Sequence, residues 1–396
     1  MEQIKSKGLF LLWLGAAISI AEIVTGTLIA PLGMWRGLAA IIIGHLIGCF
    51  IFLLPAAYIS AKQNQSAIKV ANIAFGKIGI LLFSFLNALQ LLGWTAVMIV
   101  NAQLAVNSIT KQIFGFHSIV IISILIAALI VIWLLFNHDW LFRINNAVVI
   151  LLAFGSLLII GIIFKTGNLT STSSITTISF GSAIELNVTM ALSWLPLIGD
   201  YTQKSNRPFF DSFISSCGYF IGSCAMFIIG LSTVIITGES DFSTVLSHSN
   251  LGIIALLIII FSTVTTTFMD AYSAATNIKN IFTSLKTNLT AIIITLIGLL
   301  ISIFISMTYY QNFLYMIGAI FAPLFSIIFA TFFFIKQKLP IWISFIWWII
   351  GILIYSYIQR LDLWIGTTLP VLIIICLGYY LNSLVFIRIS QNKSIK

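Results

Sequence analysis

Two carboxylates lie where carboxylates are costly. Glu22 sits in SIAEIVTGTLIAPLG and Asp270 in FSTVTTTFMDAYSAATN, each within a long apolar stretch. An ionisable group at the centre of a bilayer costs about 2.5–3.5 kcal/mol on insertion scales, so such groups mark substrate or ion sites by default. They read as the only two acidic residues well inside apolar spans. Ser262, Thr265, Thr266 and Asp270 follow one another at i, i+3, i+4 and i+8, which puts them on one helical face. Hydroxyl oxygens at that spacing can ligate a small hard cation if another segment supplies carbonyls. The competing fate of a helical Ser or Thr is a bond back to its own helix.

A second stripe runs Asn87, Gln90, Trp94, Met98 and Asn101, at spacings of 3, 4, 4 and 3. Tryptophans that anchor a helix to the interface lie at its ends, and Trp94 lies in the middle. A planar indole flanked by amides suits stacking on a flat heterocycle. A third group, in MALSWLPLIGDYTQKSNRP, places Ser193, Trp194 and the helix breaker Pro196 together. Asp200, close to Lys204 and Arg207, reads as a solvated or inner-gate ion pair. After Glu22 come Thr25, Gly26 and Thr27, then Pro31 and Gly33. These predict an interrupted helix just beyond the carboxylate, and open backbone at membrane depth is tolerated only beside a cavity.

The elements that must hold these groups follow from composition. Of 396 residues, 60% are apolar and 7% charged, against about 25% charged in a soluble domain. Mean hydropathy is +1.14. Too few charges are present for a water-facing surface, which excludes a soluble enzyme. Apolar runs long enough to span a bilayer recur about twelve times, near 9–33, 37–60, 79–108, 117–136, 144–165, 183–202, 210–238, 251–276, 288–309, 312–335, 340–358 and 364–388. Between them, 61–78 reads as a short interfacial helix, 166–182 as a Ser/Thr-rich outer loop and 203–209 as a basic inner loop. Lys5 and Lys7 precede the first run without a small-residue cleavage site, so that run is a retained helix.

The net charge of +9 is topological. Lys and Arg stand singly between apolar runs and do not form a nucleic-acid face. With the N-terminus cytoplasmic, only Arg36, Lys111, Lys165 and Arg360 face outward, and the other 15 basic residues face inward. The outer loops carry Glu239, Asp241 and Asp362 instead. Both termini are then cytoplasmic, in a multi-pass protein of the cell membrane. Cys49, Cys217, Cys224 and Cys376 have no ligand spacing and read as core residues. His45, His117, His138 and His248 are scattered and make no metal or triad pattern, which argues against a membrane enzyme.

Spans one and six both carry interruptions, and spans three and eight both carry polar faces. Each pair is five spans apart. Paired broken segments in corresponding halves point to the binding site of a secondary transporter. The expected arrangement is two inverted repeats, about 9–165 and 183–335, with helices 11 and 12 appended at about 340–388.

The stretches WLGAAISIAEIVTGTLIAPLG at 13–33, IIIGHLIGCF at 41–50, NALQLLGWTAVMIV at 87–100 and LSWLPLIGDYTQ at 192–203 resemble the first nucleobase–cation symporter family. Within that family the chain is similar to the branch assigned to hydroxymethylpyrimidine and thiamine-precursor salvage. The resemblance covers nearly the whole chain. It implies an all-α membrane protein with the LeuT-type fold, no resident cofactor, and alternating access to a midplane site. It implies that Trp94 stacks on the substrate. Met98 stands where a glutamine is usual, and Glu22 stands at the span-one substrate position. Asp270 falls at or next to the span-eight amide ligand, while the span-six stacking tryptophan aligns nearer Ala191 than Trp194.

Two carboxyls in these places favour an amine-bearing ring, with Gln90 and Ser193 adding polar contacts. The resemblance also implies a Na⁺ site from the carbonyls of Ile18 and Ala21 with Ser262, Thr265 and Thr266. A protonatable Glu22 keeps H⁺ coupling open. The expected partners are a small pyrimidine, the coupling cation and lipid. Cytosine or a purine on the same scaffold is the alternative.

Overall fold

A computed structural model describes residues 4–135, 178–238, 252–335 and 339–394. The expected fifth span at 144–165, most of the Ser/Thr-rich loop, Glu239, Asp241, His138 and His248 lie outside these residues, as does the side chain of Ser262. Helices occupy the other eleven expected spans, and there is no strand among the described residues.

Span one is two half-helices, α1 (Ser6–Ala17) and α2 (Ile20–Thr27), bent by 53°. Span two is α3 (Met34–Leu46), which runs through a wide π turn at Ile47–Leu53 into α4 (Leu54–Gln63). Spans three and four are α5 (Asn72–Phe114) and α6 (Ile119–Leu135). Span six is again broken, into α7 (Phe180–Leu192) and α8 (Leu195–Thr202), bent by 40°. Then follow α9 (Pro208–Thr237), α10 (Gly252–Ile281), α11 (Thr287–Phe304), α12 (Tyr310–Phe333), α13 (Ile341–Leu361) and α14 (Thr368–Ser394). Among the described residues, seven helices are long and apolar enough to cross a membrane, or nine with each bent pair counted as one span.

The break in span six falls where Pro196 dictates. Pro196 occupies the first turn of α8, where its missing N–H costs nothing. The break in span one does not fall where expected. It lies at Ile18–Ser19, before Glu22, and the helix runs unbroken through Thr25, Gly26 and Thr27. Ser19 is the reason: its side chain accepts from the Glu22 N–H at 3.4 Å and starts a new helix as its N-cap. Thr25 bonds back to the Ala21 carbonyl at 2.7 Å and stays helical. Gly26 serves close packing instead, since a Cβ there would lie 2.2 Å from the Phe227 carbonyl oxygen on α9.

The segment 61–78 also differs from a single interfacial helix. α4 runs to Gln63, a short turn follows at Lys69–Ala71, and α5 kinks at Gly76. The backbone there has φ 63° and ψ −165°, a conformation open to glycine and costly to other residues.

Packing places the polar stripes inside. α10 lies along α5, α9 lies along both halves of span one, and α3 lies on α7. The Asn87–Gln90–Trp94–Met98–Asn101 stripe is buried along its whole length. Outward faces of α6, α11, α13 and α14 carry exposed Leu and Ile, such as Leu125, Leu300, Leu353 and Leu381. That pattern fits lipid as the solvent.

Candidate functional site

The two breaks face one another across a small cavity lined by span one, α5, span six and α10. Span one contributes Ala16, Ser19, Ala21 and Glu22. α5 contributes Leu91, Trp94 and Met98, span six contributes Met190, Ser193 and Trp194, and α10 contributes Thr266 and Asp270. Six expected substrate residues, Glu22, Trp94, Met98, Ser193, Trp194 and Asp270, thus meet in one place. They come from four elements far apart in sequence.

Aromatic walls flank the cavity. Trp94 packs edge-to-face on Phe313 at 5.5 Å and on Tyr310 at 6.1 Å, so its plane is held by α12. Trp194 packs edge-to-face on Trp13 at 5.4 Å and Tyr219 at 6.2 Å. Ala191 is buried against Gly48 of span two and does not line the cavity. The tryptophan at the span-six wall is therefore Trp194.

Gln90 stands behind the wall. Its Nε2 donates to the Ser193 carbonyl at 2.7 Å and supports the break in span six. The Ser193 hydroxyl donates to the Met190 carbonyl at 2.6 Å.

Glu22 is 2% exposed. Tyr219 donates to its Oε1 at 2.7 Å, and Ser223 donates to its Oε2 at 2.5 Å. The Ser223 hydroxyl also hydrogen-bonds His45 Nε2 at 2.5 Å, and His45 Nδ1 is bonded to the Ile41 carbonyl at 2.9 Å. Asp270 is 4% exposed and makes no hydrogen bond or ion pair among the described residues.

Among the expected ion ligands, Ala21 and Thr266 line the cavity. Ile18 lies at the break itself. The Ala21 carbonyl accepts from Thr25 at 2.7 Å and from Tyr310 at 3.4 Å. Thr265 donates back to the Phe261 carbonyl at 2.9 Å.

Sequence reasoning missed Trp13, His45, Tyr219, Ser223 and Tyr310. Trp13, Tyr219, Ser223 and Tyr310 are ordinary residues in apolar runs with no spacing that marks them, whereas His45 carried a signal as an ionisable group inside an expected span. It also missed a third buried carboxylate, since Glu185 on α7 is 2% exposed. Glu185 accepts from Tyr355 at 2.6 Å, from the Thr368 hydroxyl at 2.5 Å, and from the Thr367 and Thr368 N–H groups at 2.7 and 2.9 Å. Four donors from α13 and the start of α14 satisfy it, outside the cavity. Asp211 is buried too, and joins Ser6 of span one to Ser205. Asp200 accepts from the Ala67 N–H at 2.9 Å, so its bond runs to backbone of the segment after α4.

Comparison with known proteins places this geometry. A family profile described as a permease for cytosine/purines, uracil, thiamine and allantoin matches residues 3–339. No curated protein sequence matches the chain. Mhp1, a nucleobase-cation-symport-1 family transporter solved closed with bromovinylhydantoin bound, is similar with a TM-score of 0.77 at 16% identity. The match covers 94% of this chain and 90% of that one. Inward-facing Mhp1 is equally similar, at 0.77 and 16%, over 96% and 90%. A substrate-bound, outward-open Na⁺-coupled sialic acid symporter matches with a TM-score of 0.70 at 14% identity, over 96% and 88%. The manganese transporter of Eremococcus coleocola follows at 0.56 and 14%, over 97% and 94%. At these identities the likenesses show the fold, which is the LeuT type.

Proposed function

The chain belongs to the permease family for cytosine/purines, uracil, thiamine and allantoin, and from that premise we propose that it imports a small aminopyrimidine, hydroxymethylpyrimidine foremost, by cation symport. It is a multi-pass membrane transporter with the nucleobase–cation symporter fold. The observation that carries the substrate reading is the cavity between the two broken spans, with tryptophans on two walls and two buried carboxyls. Flat rings suit the walls. Carboxyls accept from ring amino groups and oppose ring carbonyls, which favours an amine-bearing ring over uracil or a hydantoin. Met98, a thioether at the cavity wall, offers a soft apolar contact to a methyl group or ring edge.

Transport requires no covalent step. The substrate sits at the breaks and is reached alternately from each side as one part of the bundle rocks against the other. The two expected inverted repeats, about 9–165 and 183–335, are the bodies we assign to that motion, with both termini cytoplasmic. For the coupling ion, Na⁺ at Ile18, Ala21, Ser262, Thr265 and Thr266 is the first choice. Thr266 on the cavity wall beside span one supports it. H⁺ carried by a cavity carboxyl is the competing choice.

The test is uptake of radiolabelled hydroxymethylpyrimidine into proteoliposomes under an imposed Na⁺ gradient, then under a pH gradient, with cytosine as competitor. Accumulation that needs Na⁺ and resists cytosine is the expected result. Accumulation driven by pH alone keeps the substrate and moves the coupling to a carboxyl. Transport of cytosine in place of hydroxymethylpyrimidine refutes the substrate and leaves the family standing.

A further inference from the structure

The two cavity carboxyls differ in what already occupies them. Glu22 has a donor on each oxygen, Tyr219 and Ser223, both from α9. Ser223 is itself fixed by His45 of α3, whose other ring nitrogen is fixed by the Ile41 carbonyl. The backbones of span one and α9 touch on the same face. A Cβ on Gly230 would lie 1.9 Å from the Ile23 carbonyl oxygen, and one on Gly26 would lie 2.2 Å from that of Phe227. Glu22 therefore belongs to a tight joint between span one, α9 and α3.

Asp270 is the opposite case. It is buried on the cavity wall and has no partner among the described residues. Of the other polar side chains that line the cavity, Ser193 spends its hydroxyl on Met190 and Ser19 caps α2. Among the lining side chains left with no such bond are the indole N–H of Trp94 and, one turn apart on α10, Asp270 and Thr266. A buried carboxyl without a donor is disfavoured until something supplies one.

We propose that Asp270 alone sets the preference for an amino-bearing ring, and that Glu22, Tyr219, Ser223 and His45 are positioning residues that hold span one against α9. The proposal rests on the reading of the cavity as a flat-ring site. A ring amino group gives Asp270 its missing donor. A ring carbonyl in the same place sets lone pairs against lone pairs and leaves the carboxyl unpaired, which is how a polar site rejects a near-isostere. The Glu22 joint acts on every ring alike, because each of its oxygens is already oriented by a donor of the fold and the joint shapes the site as a whole.

The experiment measures binding to the purified protein, by calorimetry, of hydroxymethylpyrimidine and of its analogue with a ring carbonyl in place of the amino group. Asp270→Asn is expected to lower the amino-to-carbonyl affinity ratio of this pair by about tenfold or more. Glu22→Gln and Ser223→Ala are expected to weaken both probes by a common factor, with the ratio kept within about twofold. Ser223→Thr, which keeps the hydroxyl, restores what Ser223→Ala loses. A ratio shifted by Glu22→Gln, or left in place by Asp270→Asn, overturns the division.

Melting without ligand decides the joint separately. Glu22→Gln and His45→Asn are expected to share one loss, so that the double variant melts near the worse single variant. Additive losses for that pair overturn the joint. Binding of neither hydroxymethylpyrimidine nor its carbonyl analogue overturns the substrate reading together with the role of Asp270, and the melting result still judges the joint.

Discussion

Trp94 is the residue on which ring binding turns. Its indole lines the cavity and is 7% exposed. Its orientation is fixed by Tyr310 and Phe313 on another helix. Stacking of a base on an aromatic side chain is worth about 1–3 kcal/mol by alanine substitution. Trp94→Ala is therefore expected to weaken substrate binding on the order of 10–100-fold, while Trp94→Phe keeps part of it. Equilibrium binding to the detergent-solubilised variants checks this, and unchanged affinity in Trp94→Ala removes the stacking role. At this scale the sequence was informative about residues that break a rule. A carboxyl in lipid, or a tryptophan at mid-span, announces itself by cost or by position. Tyr219 and Ser223 break no rule and were illegible, and His45, an ionisable group in an apolar run, was read only as one of four scattered histidines. Their importance comes only from lying within 2.5–2.7 Å of one another or of Glu22.

At the scale of elements, the half-helices are what bring substrate groups to one point. Span six breaks because Pro196 cannot continue the preceding turn, and a sequence shows that directly. Span one breaks three residues before Glu22 because Ser19 caps a fresh helix. Serine is common in membrane helices, so its capping geometry cannot be read without the fold. The Thr–Gly–Thr run after Glu22 has a different task. Gly26 and Gly230 let α2 and α9 approach to backbone contact.

Gly230→Ala puts a methyl 1.9 Å from the Ile23 carbonyl oxygen. Backbone cannot yield as a side-chain tip does, and overpacking of this kind costs about 1–3 kcal/mol or more. A lowered melting temperature is the expected outcome, with Glu22 displaced and substrate affinity reduced in parallel. Thermal melting and ligand binding on the same preparation check both. A fully stable Gly230→Ala variant contradicts the close approach.

Across the whole molecule, α13 and α14 are tied to the transport core. Glu185, on the first half-helix of span six, takes all four of its donors from Tyr355, Thr367 and Thr368. Two of these are N–H groups at the start of α14, where a carboxylate also complements the helix dipole. Removal of the Glu185 side chain leaves buried donors unpaired, at about 1–3 kcal/mol each. Glu185→Ala, and a chain ending before Ile341, are both expected to lose the monodisperse peak in fluorescence-detected size exclusion. A truncated chain that remains monodisperse and binds substrate shows that the last two helices are dispensable.

The sequence by itself determined the solvent, the order of the described spans, the pairing of broken and polar elements, and most of the cavity lining. These follow from local quantities: apolar run length, the spacing of polar residues on a 3.6-residue helix, and the cost of a charge in lipid. The tertiary structure alone decided where span one bends, why Gln90 supports the wall from behind, and which carboxyl is engaged and which has no partner among the described residues. Those outcomes depend on donors and acceptors supplied from elements tens or hundreds of residues away, such as Ser223 to Glu22 and Thr368 to Glu185. Hydrogen-bond satisfaction is a property of the packed bundle, and no spacing within one helix encodes it.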